Sequence, residues 1–194
     1  MRSFFAFLIA IAFLSFAGMQ AMAQAPDAPQ PAAAEPSRLD TLFSSLKRER
    51  NERAAERIAG GIYQEWARSG SASIDLIMQW SQEAMTARKF AVALDFLDQV
   101  VVLQPGYPEG WNRRATLHFM MENYPKSMRD IDRTLQLEPR HYGALVGMAT
   151  ILKNTGRKQL ALDAYQRALD IYPMLRSAQG EVAELAEELA GEGI

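Results

Sequence analysis

Between residues 74 and 175, apolar positions fall at helical spacing in paired stretches of about 14 residues, each pair split by a short polar turn. The pattern returns every 34 residues. Pro105, Pro139 and Pro173 mark the step. Ala93, Ser127 and Ala161 are small at the same interval, and Leu94, Met128 and Leu162 are apolar, as are Leu97, Ile131 and Tyr165. A period of this size, shared by many positions, means stacked supersecondary units. In the second unit one helix is predicted from Trp111 to about Met121 and the next from about Pro125 to Leu137. Asn123 suits the turn because asparagine tolerates a left-handed backbone, and Gly156 takes the corresponding turn of the third unit. Each proline closes its unit, since the residue before it is pushed out of helical geometry. The small residues let the paired helices approach closely. One pair cannot bury its apolar face alone, so neighbours must stack.

The flanking segments read as caps. Ser37 can cap a helix from about Leu39 to Arg48, and a second helix runs from Asn51 or Glu52 to Ala67, closed by Gly70. Residues 38–72 are expected to form a degenerate repeat that covers the first full one, although Trp66 falls where a small residue belongs. Gly60 and Gly61 cost a helix about 1 kcal/mol each relative to alanine, which a close helix contact explains. At the other end, residues 176–191 are expected to form a capping helix. Val182, Leu185 and Leu189 lie on one side of it, with Glu181, Glu184, Glu187 and Glu188 on a solvated outer face.

The N-terminus has a different pattern. Arg2 is the only charge before Asp27, and an apolar run from Phe4 to about Ala17 leads to Ala21-Met22-Ala23. A basic start, an apolar middle and a small-x-small end make residues 1–23 a secretory signal peptide. The apolar run is short of the roughly 20 residues that span a bilayer. Residues 24–37 hold Pro26, Pro29, Pro31 and Pro36 among alanines and read as a flexible linker.

Composition then narrows the chemistry. The net charge of −2 gives no basic excess for nucleic acid, and the run Lys47 to Arg57 mixes both signs as a solvated helix face does. The absence of cysteine removes disulfides, thiolate metal sites and a cysteine nucleophile. His118 and His141 are the only histidines, and they are not at helical ligand spacing, so packing and loop roles are expected for them. No catalytic, cofactor-binding or metal-binding constellation stands out.

The repeated units resemble tetratricopeptide repeats (TPR). Within one repeat that family has tryptophan fourth, glycine eighth, alanine twentieth, an aromatic twenty-fourth, alanine twenty-seventh and proline thirty-second. Aligned on the prolines, the repeats span residues 74–107, 108–141 and 142–175, and Trp111 matches the tryptophan. Ile77 and Leu145 replace it elsewhere, Arg114 stands where leucine is usual, and the eleventh position is Ala84, His118 and Leu152 instead of tyrosine. The whole chain also resembles short exported TPR proteins of alphaproteobacteria, through Arg68-Ser69-Gly70-Ser71, Asp75-Leu76-Ile77-Met78 and Trp111-Asn112-Arg113-Arg114-Ala115-Thr116. The resemblance implies an all-α fold: a right-handed superhelix of stacked antiparallel helix pairs with capping helices at both ends.

It also implies a concave groove lined by the first helix of each pair. Here that helix offers Met78, Gln82 and Met85, then Asn112, Arg113, Thr116, Phe119 and Met120, then Thr150, Lys153 and Asn154. Methionine adapts its shape cheaply, which suits a peptide or helix ligand. TPR domains that clamp a terminal carboxylate place donors at positions that here are Met78, Gln82, Arg113, Gly143 and Gly147. Three of these lack a side-chain donor, so that clamp is not expected. Arg114 falls at a helix interface, where an unpaired charge is costly. Asp130, Asp132 or Asp98 is its expected ion-pair partner.

The expected function is a non-catalytic, periplasmic protein-interaction module or scaffold of the cell envelope, with no cofactor and with a protein or peptide partner. Two alternatives stay open: a small-ligand-binding protein or enzyme accessory subunit, and a scaffold tethered to the membrane by an uncleaved leader. Exposed apolar residues of the groove could equally bind a second copy of the chain, so self-association stays open as well. The leader sets a direct test. Terminal sequencing of the protein from cells is expected to start at Gln24, or at Pro26 if cleavage follows Ala25. A mature chain still starting at Met1 sinks the exported reading.

Overall fold

The computed structural model describes residues 37–192. The expected leader and all of the linker except Ser37 lie outside the described residues. Those described form nine helices and no strand: α1 (Arg38–Arg48), α2 (Glu52–Trp66), α3 (Ala72–Thr86), α4 (Phe90–Leu103), α5 (Pro108–Met120), α6 (Tyr124–Leu137), α7 (Tyr142–Asn154), α8 (Lys158–Ile171) and α9 (Arg176–Glu192). None of them is long and apolar enough to cross a membrane.

Local chemistry sets the helix ends. Ser37 and Asp40 make a reciprocal capping box on α1, and Asn51 caps α2 by accepting from the Ala54 amide. Pro108 opens α5 at a position where its missing N–H costs nothing. Inside the three pairs α3–α4, α5–α6 and α7–α8, the turn residues Arg88, Glu122 and Gly156 have φ of 55°, 56° and 74°. The left-handed residue of the second turn is therefore Glu122 and not Asn123. Asn123 is needed one position later, where its side chain accepts from the Lys126 amide and caps α6.

The small residues sit where the paired helices meet. Ala93, Ser127 and Ala161 are all buried, and Ser127 Oγ donates to the Ala115 carbonyl at 2.8 Å across α5 and α6. Ala115, Ile131, Ala144 and Ile151 join the second pair to the third. Beyond α8, Ala178 and Leu185 of α9 complete the apolar cluster of the third pair. The acidic side of α9 is less solvated than expected. Glu181 and Glu184 both accept from Lys153 Nζ, at 2.8 and 3.0 Å.

The N-terminal hairpin departs most from expectation. It does not cover the first repeat. Phe43 and Leu46 of α1 and Ala55, Ala59, Ile62 and Trp66 of α2 cluster with Tyr142 and Leu145 of α7 and Ala168 and Tyr172 of α8. The core of the first pair contains no residue of α1 or α2. The cause is side-chain size: Trp66 is too large for a repeat interface, and it lies flat on His141 instead, ring centroids 4.0 Å apart and planes within 8°. The hairpin thus runs as a strap along the loops between repeats. Tyr107 donates to the Ala67 carbonyl at 3.0 Å, Arg140 to Asp40 at 2.6 Å, and Arg176 pairs with Glu52 at 3.1 Å. Of the two helical glycines, Gly61 has the expected close contact, with Leu42 of α1, whereas Gly60 faces open space.

Arg114 joins the first two repeats. It grips Asp130 of α6 with two bonds, 2.7 and 2.8 Å, and donates a third to Asp98 of α4 at 2.9 Å. Asp132, the remaining candidate, is exposed outside this cluster. The guanidinium also lies 4.8 Å from the centroid of the Trp111 ring. Asp130 is buried, so removing its cation strands a carboxylate. Arg114→Leu is expected to cost about 3 kcal/mol in chemical denaturation, and adding Asp130→Leu to recover most of that loss. An Arg114→Leu chain as stable as the parent would show that the pair does not hold the repeats.

Candidate functional site

The first helices of the three pairs, α3, α5 and α7, face one groove. Two hollows divide it. The first, about 400 Å³, lies between α3 and α5 and is lined by Gln82, Met85, Thr86, Glu109, Asn112, Arg113, Thr116 and Met120. The second, about 210 Å³, lies between α5 and α7 above two residues of α6. Its walls are Ala115, Phe119, Val146 and Thr150, and Ile131 and Ser127 of α6 form its floor. Asn112 and Thr116 line both hollows, which makes the groove continuous.

Two glycines line the second hollow with backbone alone. Gly143 and Gly147 are one turn apart on α7, and both line it. A Cβ on Gly147 would meet Ile131 Cδ1 at 3.5 Å, and one on Gly143 would meet Tyr63 Oη and His141 Cε1 at the same distance. A methyl group therefore fits at either position; at Gly147 anything larger extends past Ile131 into the hollow, whereas at Gly143 it turns toward Tyr63 and His141, which do not line it. The slot is apolar at its base and polar along its Asn112–Thr116 edge.

A buried carboxylate organises the polar half. Glu109, in the first turn of α5, accepts from His141 Nε2 at 3.3 Å, Asn112 Nδ2 at 3.0 Å and Arg113 Nη2 at 2.9 Å. His141 Nδ1 accepts from the Ala144 amide at 3.1 Å, so the ring carries its proton on Nε2 and donates to Glu109. Arg113 Nη1 reaches back to Gln82 Oε1 at 2.9 Å and ties α5 to α3. Burial alone would push the Glu109 carboxyl up. The hydrogen bond from His141 and the charge of Arg113 outweigh it and hold the group below its ordinary value of 4.5.

The residues expected in the groove have separate fates. Gln82, Met85, Asn112, Arg113, Thr116, Phe119, Met120 and Thr150 line one hollow or both. Met78 is buried in the core of the first pair. Lys153 is held by α9, and Asn154 ends α7 outside both hollows. His118 is buried against Asp130 at 3.9 Å, with desolvation lowering its pKa, and His141 caps α7. Glu109 is not among the residues expected in the groove. Its position, three residues before Asn112 and four before Arg113, puts all three on one helix face.

The sign of the Glu109 shift sets a pH dependence. A depressed carboxyl pKa contributes stability that is complete above about pH 4.5 and is lost as pH falls through the folded value. Glu109→Gln is expected to cost on the order of 2 kcal/mol at pH 7 and to flatten the acid limb of a plot of stability against pH. If parent and variant lose stability in parallel on acidification, Glu109 does not act as the buried acceptor of this network.

A TPR repeat-containing protein of Rhizobium etli is 57% identical over 154 residues, which covers 79% of this chain and 76% of that protein. Among solved structures, the first TPR domain of Spaghetti bound to an HSP90 peptide superposes with a TM-score of 0.58 at 17% identity. The match covers 60% of this chain and 93% of that one. The crystal structure of MamA gives a TM-score of 0.57 at 15% identity, over 79% of this chain and 85% of that one. At such low identity these structures share the fold alone. No protein-family model matches the chain. The Rhizobium relative covers most of both sequences, and the stacked helix pairs agree with it: this chain belongs to the TPR repeat-containing proteins.

Proposed function

We propose that the chain is a non-catalytic interaction module of the cell envelope that holds a peptide segment of a protein partner in the groove of α3, α5 and α7. The observation that carries this reading is the slot opened by Gly143 and Gly147. A glycine in a helix interior costs about 1 kcal/mol relative to alanine. Two of them one turn apart line the same hollow, and the missing side chain at Gly147 leaves room for one apolar side chain from outside. The floor of Ile131 and the walls of Phe119 and Val146 would take that side chain out of water. Alongside it, Asn112, Thr116 and the pre-positioned Arg113 offer polar contacts to a peptide backbone or an acidic neighbour. The TPR domain of Spaghetti binds an HSP90 peptide, which lends support from the fold. The expected cleaved leader supports the periplasm as the compartment. The groove is too open to exclude water as chemistry on a small substrate requires.

Gly147→Leu tests the slot with little risk to the fold. It removes a helical glycine, keeps the first methylene in ordinary contact with Ile131, and fills the hollow beyond it. A photo-crosslinking residue placed at Thr116, which lines both hollows, is expected to give a discrete protein adduct in cells. That adduct is expected to fall at least about tenfold in the Gly147→Leu background, with the melting temperature unchanged or raised. Equal adducts in both backgrounds, or none in the parent, overturn the groove assignment.

A further inference from the structure

Trp80 of α3 and Phe96 of α4 touch with ring centroids 5.8 Å apart. Thirty-four residues on, the same two places are held by Arg114 and Asp130, and there the preceding repeat closes over the pair with Leu94 and Asp98. The first repeat has no such cover among the described residues. The hollow of about 540 Å³ around Trp80 and Phe96 is lined only by α3, α4 and their turn, because the strap has gone to the third repeat.

Several positions of that helix pair are apolar where their counterparts are polar. Trp80, Val92, Phe96 and Val102 correspond to Arg114, Lys126, Asp130 and Gln136. Trp80 is 42% exposed, Leu103 65% and Val102 76%. Among the described residues, five of nine large exposed apolar side chains lie on this one helix pair, with Leu76 and Val92 completing the five. On α4, positions 92, 96, 99 and 103 follow helical spacing, so Val92, Phe96 and Leu103 share one face. Scattered surface apolar residues need no explanation, but apolar side chains gathered on one helix pair point to an interface.

We propose that this face pairs with the same face of a second copy, giving a two-fold, head-to-head dimer through the first repeats. One feature favours a second copy over another partner. Glu83 and Lys89, of opposite sign, both line the hollow beside the aromatic pair. A two-fold axis running along the helix pair, between α3 and α4, would set Glu83 of each copy against Lys89 of the other, the self-complementarity an isologous interface requires. The proposal is independent of the groove, which lies on the first helices of all three pairs.

Sedimentation velocity on the chain, expressed from its full gene and purified through a C-terminal tag, tests this from about 1 to 200 μM. A monomer–dimer equilibrium is expected in that range. Val102→Lys with Leu103→Lys, at side chains too exposed to threaten the fold, is expected to weaken it at least about tenfold. Glu83→Lys is expected to weaken it as well, and Glu83→Lys with Lys89→Glu to restore it. A monomer throughout the range overturns the proposal. So does association that the Val102→Lys, Leu103→Lys chain retains in full, as association through the N-terminal segment would be. A double charge swap no better than the single one overturns the two-fold pairing.

Discussion

The flat contact of Trp66 on His141 fixes where the N-terminal hairpin lies. An indole in a helix pair needs a partner of matching area, and a repeat interface built on Ala93, Ser127 and Ala161 has no room for one. At the junction of the second and third repeats, His141 offers a ring face, with Tyr63, Phe43 and Tyr142 around the rest of the indole. Burying so much aromatic area is worth several kcal/mol, more than a poorly fitting stack on the first repeat could return. The same contact holds His141 over Glu109. The strap is therefore coupled through one imidazole to the polar half of the groove: Trp66 sets the ring, the ring donates to Glu109, and Glu109 orients Asn112 and Arg113.

That chain of contacts changes how the solenoid behaves. In a simple repeat array each unit touches only its neighbours, so curvature is soft and unfolding can begin at either end. Here one hairpin reaches three successive loops and the start of α9. It meets Tyr107 after the first repeat, Arg140 after the second and Tyr172 after the third, and Glu52 pairs with Arg176. Lys153 and α9 brace the far end in the same way. A braced groove keeps its width before a ligand arrives, so less ordering has to be paid for on binding.

The parts legible in the sequence are those that one unit imposes on the next. The 34-residue step, the terminal prolines and the small interface residues each express a local constraint, and the helices follow them. Arg114 was legible too, because a charge at an apolar repeat position needs an acid nearby, though choosing Asp130 and Asp98 over Asp132 required the helix phase. The strap was not legible. The misfit of Trp66 in the register is visible, but its partner lies far along the chain and no period connects them. Lys153 shows a similar limit. Its place on α7 suits the groove, yet Glu181 and Glu184 capture it from a helix outside the repeats. Glu109 lay in plain view at helical spacing from Arg113. Only the burial of its carboxylate, which depends on His141, turns it from a surface acid into the centre of the polar network.

Moving the hairpin to the third repeat has a consequence at the first. A terminal repeat needs a polar outer face or a cover to remain soluble. The far end satisfies this with α9, whose Leu185 is buried while its glutamates point outward or pair with lysines. At the near end the hairpin lies elsewhere, and among the described residues Trp80 and Val92 stand open where Arg114 and Lys126 occupy those places one repeat later. Charged side chains there would fit the outward-facing half of the 34-residue pattern just as well. Their absence separates two demands on the molecule. Strapping the loops shapes the groove from within, while the apolar end face, which no described residue covers, is the surface proposed to pair with a second copy.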